Sequence, residues 1–106
     1  MIKIRMYPSE FLGLVNFLHG RVLPVIDLQP LERSIYDQIL LEYWQKASLV
    51  EKIPAWRHRN GRKQYGLPMP LSVARILHQE MQYAELTMYG QALLARLDQE
   101  LVNLKQ

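Results

Sequence analysis

The sequence predicts a mainly helical α+β fold. Three observations predict it: an alternating segment at the start, apolar stripes at helical spacing afterwards, and proline–glycine punctuation that cuts the chain into two similar halves. "MIKIRM" at 1–6 places Ile2, Ile4 and Met6 on one face and reads as a short strand. Pro8 then suits a first helical turn, where its missing N–H is harmless, and Glu10 favours the positive helix end. Phe11, Leu14, Val15, Leu18 and Val22 form one apolar stripe, so a helix is expected to about Arg21. Gly20, Pro24 and Pro30 punctuate the next stretch, with Asp27 as the expected N-cap of a second helix and Pro30 and Glu32 in its first turn. Leu31, Ile35, Ile39, Tyr43 and Ala47 trace that helix to about Val50. Tyr36, Leu40 and Trp44 broaden the stripe to more than half the circumference, which suggests a central position.

After Pro54 comes "AWRHRNGRKQYG" at 55–66. Its Asn-Gly pair favours a two-residue type I′ turn, so "AWRHR" and "RKQYGLPM" are expected as the arms of a basic β-hairpin over 53–68. Pro68 and Pro70 end it, and Pro70 opens a third helix striped by Val73, Ile76, Leu77, Met81 and Ala84. Leu86, Tyr89, Leu93, Leu94, Leu97, Leu101 and Leu104 stripe a fourth, joined to the third by a turn near Glu85–Thr87 or by a kink at Gly90. The expectation is four helices as two helical hairpins, each preceded by a short strand, in one domain over 1–106.

The halves 1–50 and 63–106 suggest a β-α-α duplication. Pro8, Phe11, Leu14 and Val15 answer at a constant offset to Pro70, Val73, Ile76 and Leu77, although the strand parity slips by one residue. On that scheme the two strands pair at the centre, the helical hairpins pack on them, and the basic hairpin bridges the halves.

Composition sets limits on function. The chain has 106 residues, 49% apolar and 22% charged, as globular domains do. It has no cysteine, so disulfides, thiolate metal sites and cysteine nucleophiles are ruled out, and a reducing cytoplasm is expected. Lys3 and Arg5 ahead of "FLGLVNFL" imitate a signal peptide, but Glu10 interrupts the boundary and no small-x-small site occurs before Arg21. The run is also too short to span a bilayer, so no membrane partner is expected. Net charge is +3, unevenly spread. No acidic residue lies between Glu51 and Glu80, where Lys52, Arg57, Arg59, Arg62, Lys63 and Arg75 are found, a distribution able to steer an anionic partner.

Catalytic chemistry finds few candidates. His19, His58 and His78 show no i, i+3 or i, i+4 pairing for a metal, and "HQEMQ" at 78–82 lacks the second histidine of a zinc helix. His78 with Glu80 reads as a surface pair. The five glycines are scattered, so no phosphate loop forms, and Asp98 and Glu100 point to different helix faces. Neither an enzyme nor a cofactor is expected.

The basic stretch carries the candidate site. Arg57, Arg59, Arg62 and Lys63 could neutralise phosphates while Trp56 or Tyr65 stacks on a base. Alternatively the loop is solvated and its two aromatics pack back on the helices, or its cations meet an acidic protein partner. "SLVEKIPAWRHRNGRKQYGLP" also resembles the wing of winged-helix regulators, in which a helix, a Leu-Val strand and an "NGR-x-x-Y-x-L" hairpin succeed one another. That resemblance implies a β-ribbon on duplex DNA, but the helix "SIYDQILLEYWQKA" before it is apolar and carries Asp37 and Glu42 where a recognition helix would show Arg, Asn or Gln. Two functional expectations result. The first is a small non-enzymatic protein-interaction or self-associating module, built on the apolar face of 31–50 and the leucine stripe of 86–104. The alternative is a nucleic-acid-binding accessory protein working through 55–66.

Overall fold

A computed structural model describes residues 1–104. In chain order these form β1 (Ile2–Met6), α1 (Pro8–Val22), a 3-10 turn (Pro30–Glu32), α2 (Ile35–Ala47), α3 (Leu49–Arg57), β2 (Tyr65–Met69), α4 (Leu71–Met81) and α5 (Met88–Asn103). The class is mainly helical α+β, with five α-helices among the described residues where the sequence suggested four.

β1 and β2 pair antiparallel, from Ile2 opposite Met69 to Met6 opposite Tyr65. Strand alternation turns Ile4, Met6, Leu67 and Met69 inward and leaves Lys3, Arg5, Gly66 and Pro68 exposed on the outer face. The helices cover the inner face. α1 packs on α2, α3 and α5, α4 packs on α2 and α5, and α5 also lies against β1. Their buried side chains join the strand residues in one apolar cluster centred on Phe11, Leu14, Leu18, Leu40, Leu77 and Leu93. A proline in β2 is tolerated because it lacks the donor an edge would leave unpaired. The Tyr43 hydroxyl of α2 donates a 3.2 Å hydrogen bond to the Pro68 carbonyl, which satisfies that acceptor.

The expected basic hairpin does not form. Residues 49–57 continue as helix α3, with Pro54 inside it, and no glycine has a positive φ, so Asn60-Gly61 is not a type I′ turn. Two competing interactions explain this. β2 finds its partner in β1 at the far end of the chain, and helical continuation carries Trp56 into the core, where it is 3% exposed. With no hairpin there is no wing, and the winged-helix resemblance does not extend to the fold.

The expected second helix is also divided and shifted. Asp27 caps nothing in helix α2, whose N-cap is Ser34, with its hydroxyl accepting from the Asp37 amide at 3.0 Å. Ser48 adopts φ 51, ψ 45, the left-handed conformation, and separates α2 from α3 where the apolar stripe suggested one helix to Val50. Pro70 is the N-cap of α4 rather than its first helical residue. Between α4 and α5 the chain turns, and Thr87 caps α5 by accepting from the Gly90 amide at 3.1 Å.

The two strand–helix units share one burial pattern. Each strand runs half-buried, exposed, buried, exposed, buried. At the same offset, buried Glu10, Phe11, Gly13, Leu14 and Leu18 of α1 correspond to buried Val73, Ala74, Ile76, Leu77 and Met81 of α4, whereas buried Pro8 and Val15 fall on exposed Leu71 and half-buried His78. This offset is one residue longer than the helix stripes alone suggested, and it removes the slip in strand parity. Ile4 and Leu67, which hold the same place in their strands, face each other across the ladder.

Candidate functional site

The basic segment is organised around Trp56. Its indole stacks on Phe11 of α1, with centroids 4.4 Å apart and planes 8° from parallel, and meets Tyr65 edge-on at 6.1 Å. The Arg59 guanidinium carbon lies 4.5 Å from the Trp56 ring centroid and 4.6 Å from that of Tyr65. Since Phe11 fills one face of the indole, Arg59 covers the other. This cation–π contact fastens the loop to the end of α3.

Asn60 shapes the turn after α3. Its side-chain oxygen accepts from the Arg62 amide at 2.9 Å, its carbonyl accepts from the Lys63 amide at 3.1 Å, and its own amide donates to the Tyr65 hydroxyl at 3.2 Å. Gln64, with its amide oxygen turned toward α5, accepts from both terminal nitrogens of Arg96 at 3.1 and 3.2 Å. Arg96 also donates to Gln99 at 3.1 Å, lies 5.6 Å from the Tyr7 ring centroid and approaches buried Glu10 at 3.7 Å. Glu10 in turn accepts from the Tyr7 amide at 2.8 Å, capping its own helix. One arginine of α5 thus ties together α1 and the start of β2.

The expected site residues therefore separate. Trp56 is core, Tyr65 is half-buried beside it, and Arg59, itself exposed, lies over both rings, so the indole has no free face for a base. Arg57, Arg62 and Lys63 are exposed. Lys3 and Arg5 lie outside the basic segment 55–66 in sequence. The register brings them to the same region, because Arg5 stands opposite Gly66 and Lys3 opposite Pro68. The signal was the polar half of the β1 alternation; what it lacked was the identity of the partner strand.

A second surface is the groove between α2, α4 and the end of α5. It encloses about 820 Å³ and is lined by Tyr36, Ile39, Leu71, Ile76, Leu101 and Val102 among others. Several of these remain uncovered: Tyr36 is 49% exposed, Leu71 45% and Val102 46%. Just ahead on α2 and the turn before it, Ile35 is 77% exposed and Leu31 wholly so. Polar groups line it as well: Ser72, Arg75, His78, Gln79, Gln82 and Asp98. His78 Nε2 lies 3.1 Å from Asp98 Oδ1, and Gln82 contacts the same ring. The expected His78–Glu80 pair is not made, because Glu80 meets Arg21 at 3.3 Å and Arg21 also holds Asp37 at 3.2 Å. Among the described residues no hydroxyl bonds to His78, and no three His, Asp or Glu side chains converge as a metal site. No described helix is long and apolar enough to cross a membrane.

Comparison with protein-family models, with curated proteins and with solved structures returns no match.

Proposed function

We propose that the chain is a small non-enzymatic interaction module that associates with a second copy of itself through the α2–α4–α5 groove. The carrying observation is an exposed apolar ridge beside a groove of mixed lining whose apolar side chains are themselves partly uncovered. Ile35 is exposed one helical turn ahead of Ile39, which lines the groove with Tyr36, and Leu31 is exposed on the 3-10 turn that leads into α2. A two-fold interface is self-complementary, so the ridge of each copy fills the groove of the other. Exposed aliphatic side chains clustered this way mark interaction surfaces more than scattered ones do. The same elements, the start of α2 and the end of α5, bear the apolar face of 31–50 and the leucine stripe of 86–104.

The matched burial of the two strand–helix units further supports reading 1–50 and 63–106 as a duplicated β-α-α unit, with 53–68 as the connection. On this reading α2 and α5, the second helices of each unit, build the interface.

Sedimentation equilibrium over a wide concentration range tests the association. The wild-type mass should rise toward twice that of the chain. Leu31→Glu with Ile35→Glu should weaken association by at least 10-fold, since each aliphatic side chain left unburied forfeits about 1.5–3 kcal/mol. Both positions are exposed in the single chain, so folding should be unaffected. A wild-type chain that stays monomeric throughout would overturn the reading.

A further inference from the structure

We infer that the outer face of the β1–β2 sheet, together with the turn entering β2, binds the phosphate backbone of duplex nucleic acid. The inference concerns a different set of residues from the association groove and stands independently of it.

Four exposed cations carry it. Lys3 and Arg5 stand on the outer face of β1, opposite Pro68 and Gly66. Those two partners raise no large side chain, so the cations rise from a low floor. The Lys3 stem lies along Gly66, where even an added Cβ would come within 3.5 Å of Lys3 Cδ. Arg62 and Lys63 are exposed on the turn that runs through Gln64 into Tyr65, and Tyr65 pairs with Met6 beside Arg5. Strand pairing therefore assembles one basic surface from two segments far apart in sequence.

Among the described residues no ion pair neutralises that surface. Among the described residues the ion pairs use Arg21, His78 and Arg96 as cations, and none involves Lys3, Arg5, Arg62 or Lys63. Neither β1 nor the segment between Glu51 and Glu80 contains an acidic residue. Unpaired cations on an exposed face suit a polyanion, because binding releases the counterions condensed on its phosphates.

The chemistry favours a duplex over a single strand. Single strands are held by aromatic platforms on which successive bases stack. Here Trp56 and Tyr65 are engaged by Phe11 and Arg59, and the outer face offers only Lys3, Arg5, Gly66 and Pro68. What remains is contact with a phosphate backbone, independent of base sequence.

Fluorescence anisotropy of a labelled duplex of roughly 20 base pairs, titrated with the full chain between about 50 and 200 mM salt, tests the inference. Binding should weaken steeply with salt. Lys3→Ala with Arg5→Ala should reduce the log–log salt slope by about 2, and Arg62→Ala with Lys63→Ala by a similar amount. All four side chains are exposed, and circular dichroism melts of the variants should match the wild type. Lys3→Arg with Arg5→Lys should retain binding. Absence of binding at the lowest salt would overturn the inference, as would binding indifferent to Lys3 and Arg5. Preference for the matching single strand, for a polyglutamate peptide or for phosphatidylserine vesicles would overturn it equally.

Discussion

Tyr43 shows how one residue serves both burial and strand pairing. It sits 6% exposed in α2 and donates to the carbonyl of Pro68, and burial pushes its hydroxyl up to about 12 from 10.0. The folded chain thus holds the phenolic proton more tightly than the unfolded chain does. Its contribution to stability is fully present below pH 10.0 and is lost as pH rises toward about 12, because the unfolded state ionises first. Tyr43→Phe should cost about 0.5–1.5 kcal/mol in denaturant melts at neutral pH by leaving the Pro68 carbonyl unbonded. It should also flatten the alkaline decline of stability and remove the last-titrating tyrosine from an ultraviolet titration. Residue-level roles were only partly legible in the sequence. The aromatic–basic composition of 55–66 drew attention to Trp56, Arg59 and Tyr65. Composition alone did not distinguish aromatics awaiting a ligand from aromatics stacked on Phe11 under an arginine.

Among the elements, α1 contains two glycines in opposite situations. At Gly13 a Cβ would lie 3.0 Å from the Tyr89 carbonyl carbon and 3.1 Å from its oxygen, so glycine lets α5 approach α1 closely. At Gly20 nothing lies within 4 Å. Gly20→Ala should stabilise the fold by about 0.5–1 kcal/mol through helix propensity, whereas Gly13→Ala should destabilise it by about 1–3 kcal/mol as backbone is forced apart. Thermal melts of the two variants should shift in opposite directions. Ser48 offers a similar contrast. Its left-handed conformation costs a side-chain-bearing residue about 1 kcal/mol that glycine does not incur, so Ser48→Gly should raise stability by that amount in the same melts. The apolar stripes of α1, α4 and α5 and the alternation of β1 were legible directly in the sequence, since each buries one face at its own period. The break at Ser48 was not, because serine carries no signal for that conformation as glycine would. Asn-Gly misled for the converse reason: a local turn preference was outweighed by the long-range pairing of β2 with β1 and by the burial of Trp56.

The whole molecule combines two strand–helix units, the first followed by α2 and α3 and the second by α5 alone, and leaves two surfaces open: a groove with an apolar ridge beside it, and a basic sheet face. The halves were legible as similar because apolar spacing repeats. The offset at which the burial of α1 and α4 matches was not, because Glu10, a buried charge, stands where α4 has Val73. No hydropathy pattern scores a glutamate as core. Exposed apolar residues were likewise invisible as such. Leu31 and Ile35 share the helical spacing of a buried stripe, yet they stand outside the core that Leu40, Leu41 and Tyr43 enter. That excess of apolar surface is what the proposed association would cover. Because the chain contains no cysteine, single cysteines can be introduced without competing thiols. The most direct test mixes Leu31→Cys chains with Val102→Cys chains under mild oxidation. The ridge-in-groove interface predicts a mixed disulfide dimer that forms faster than any dimer of either variant alone and faster than with an Arg62→Cys control. Cross-linking no faster than the control would contradict it.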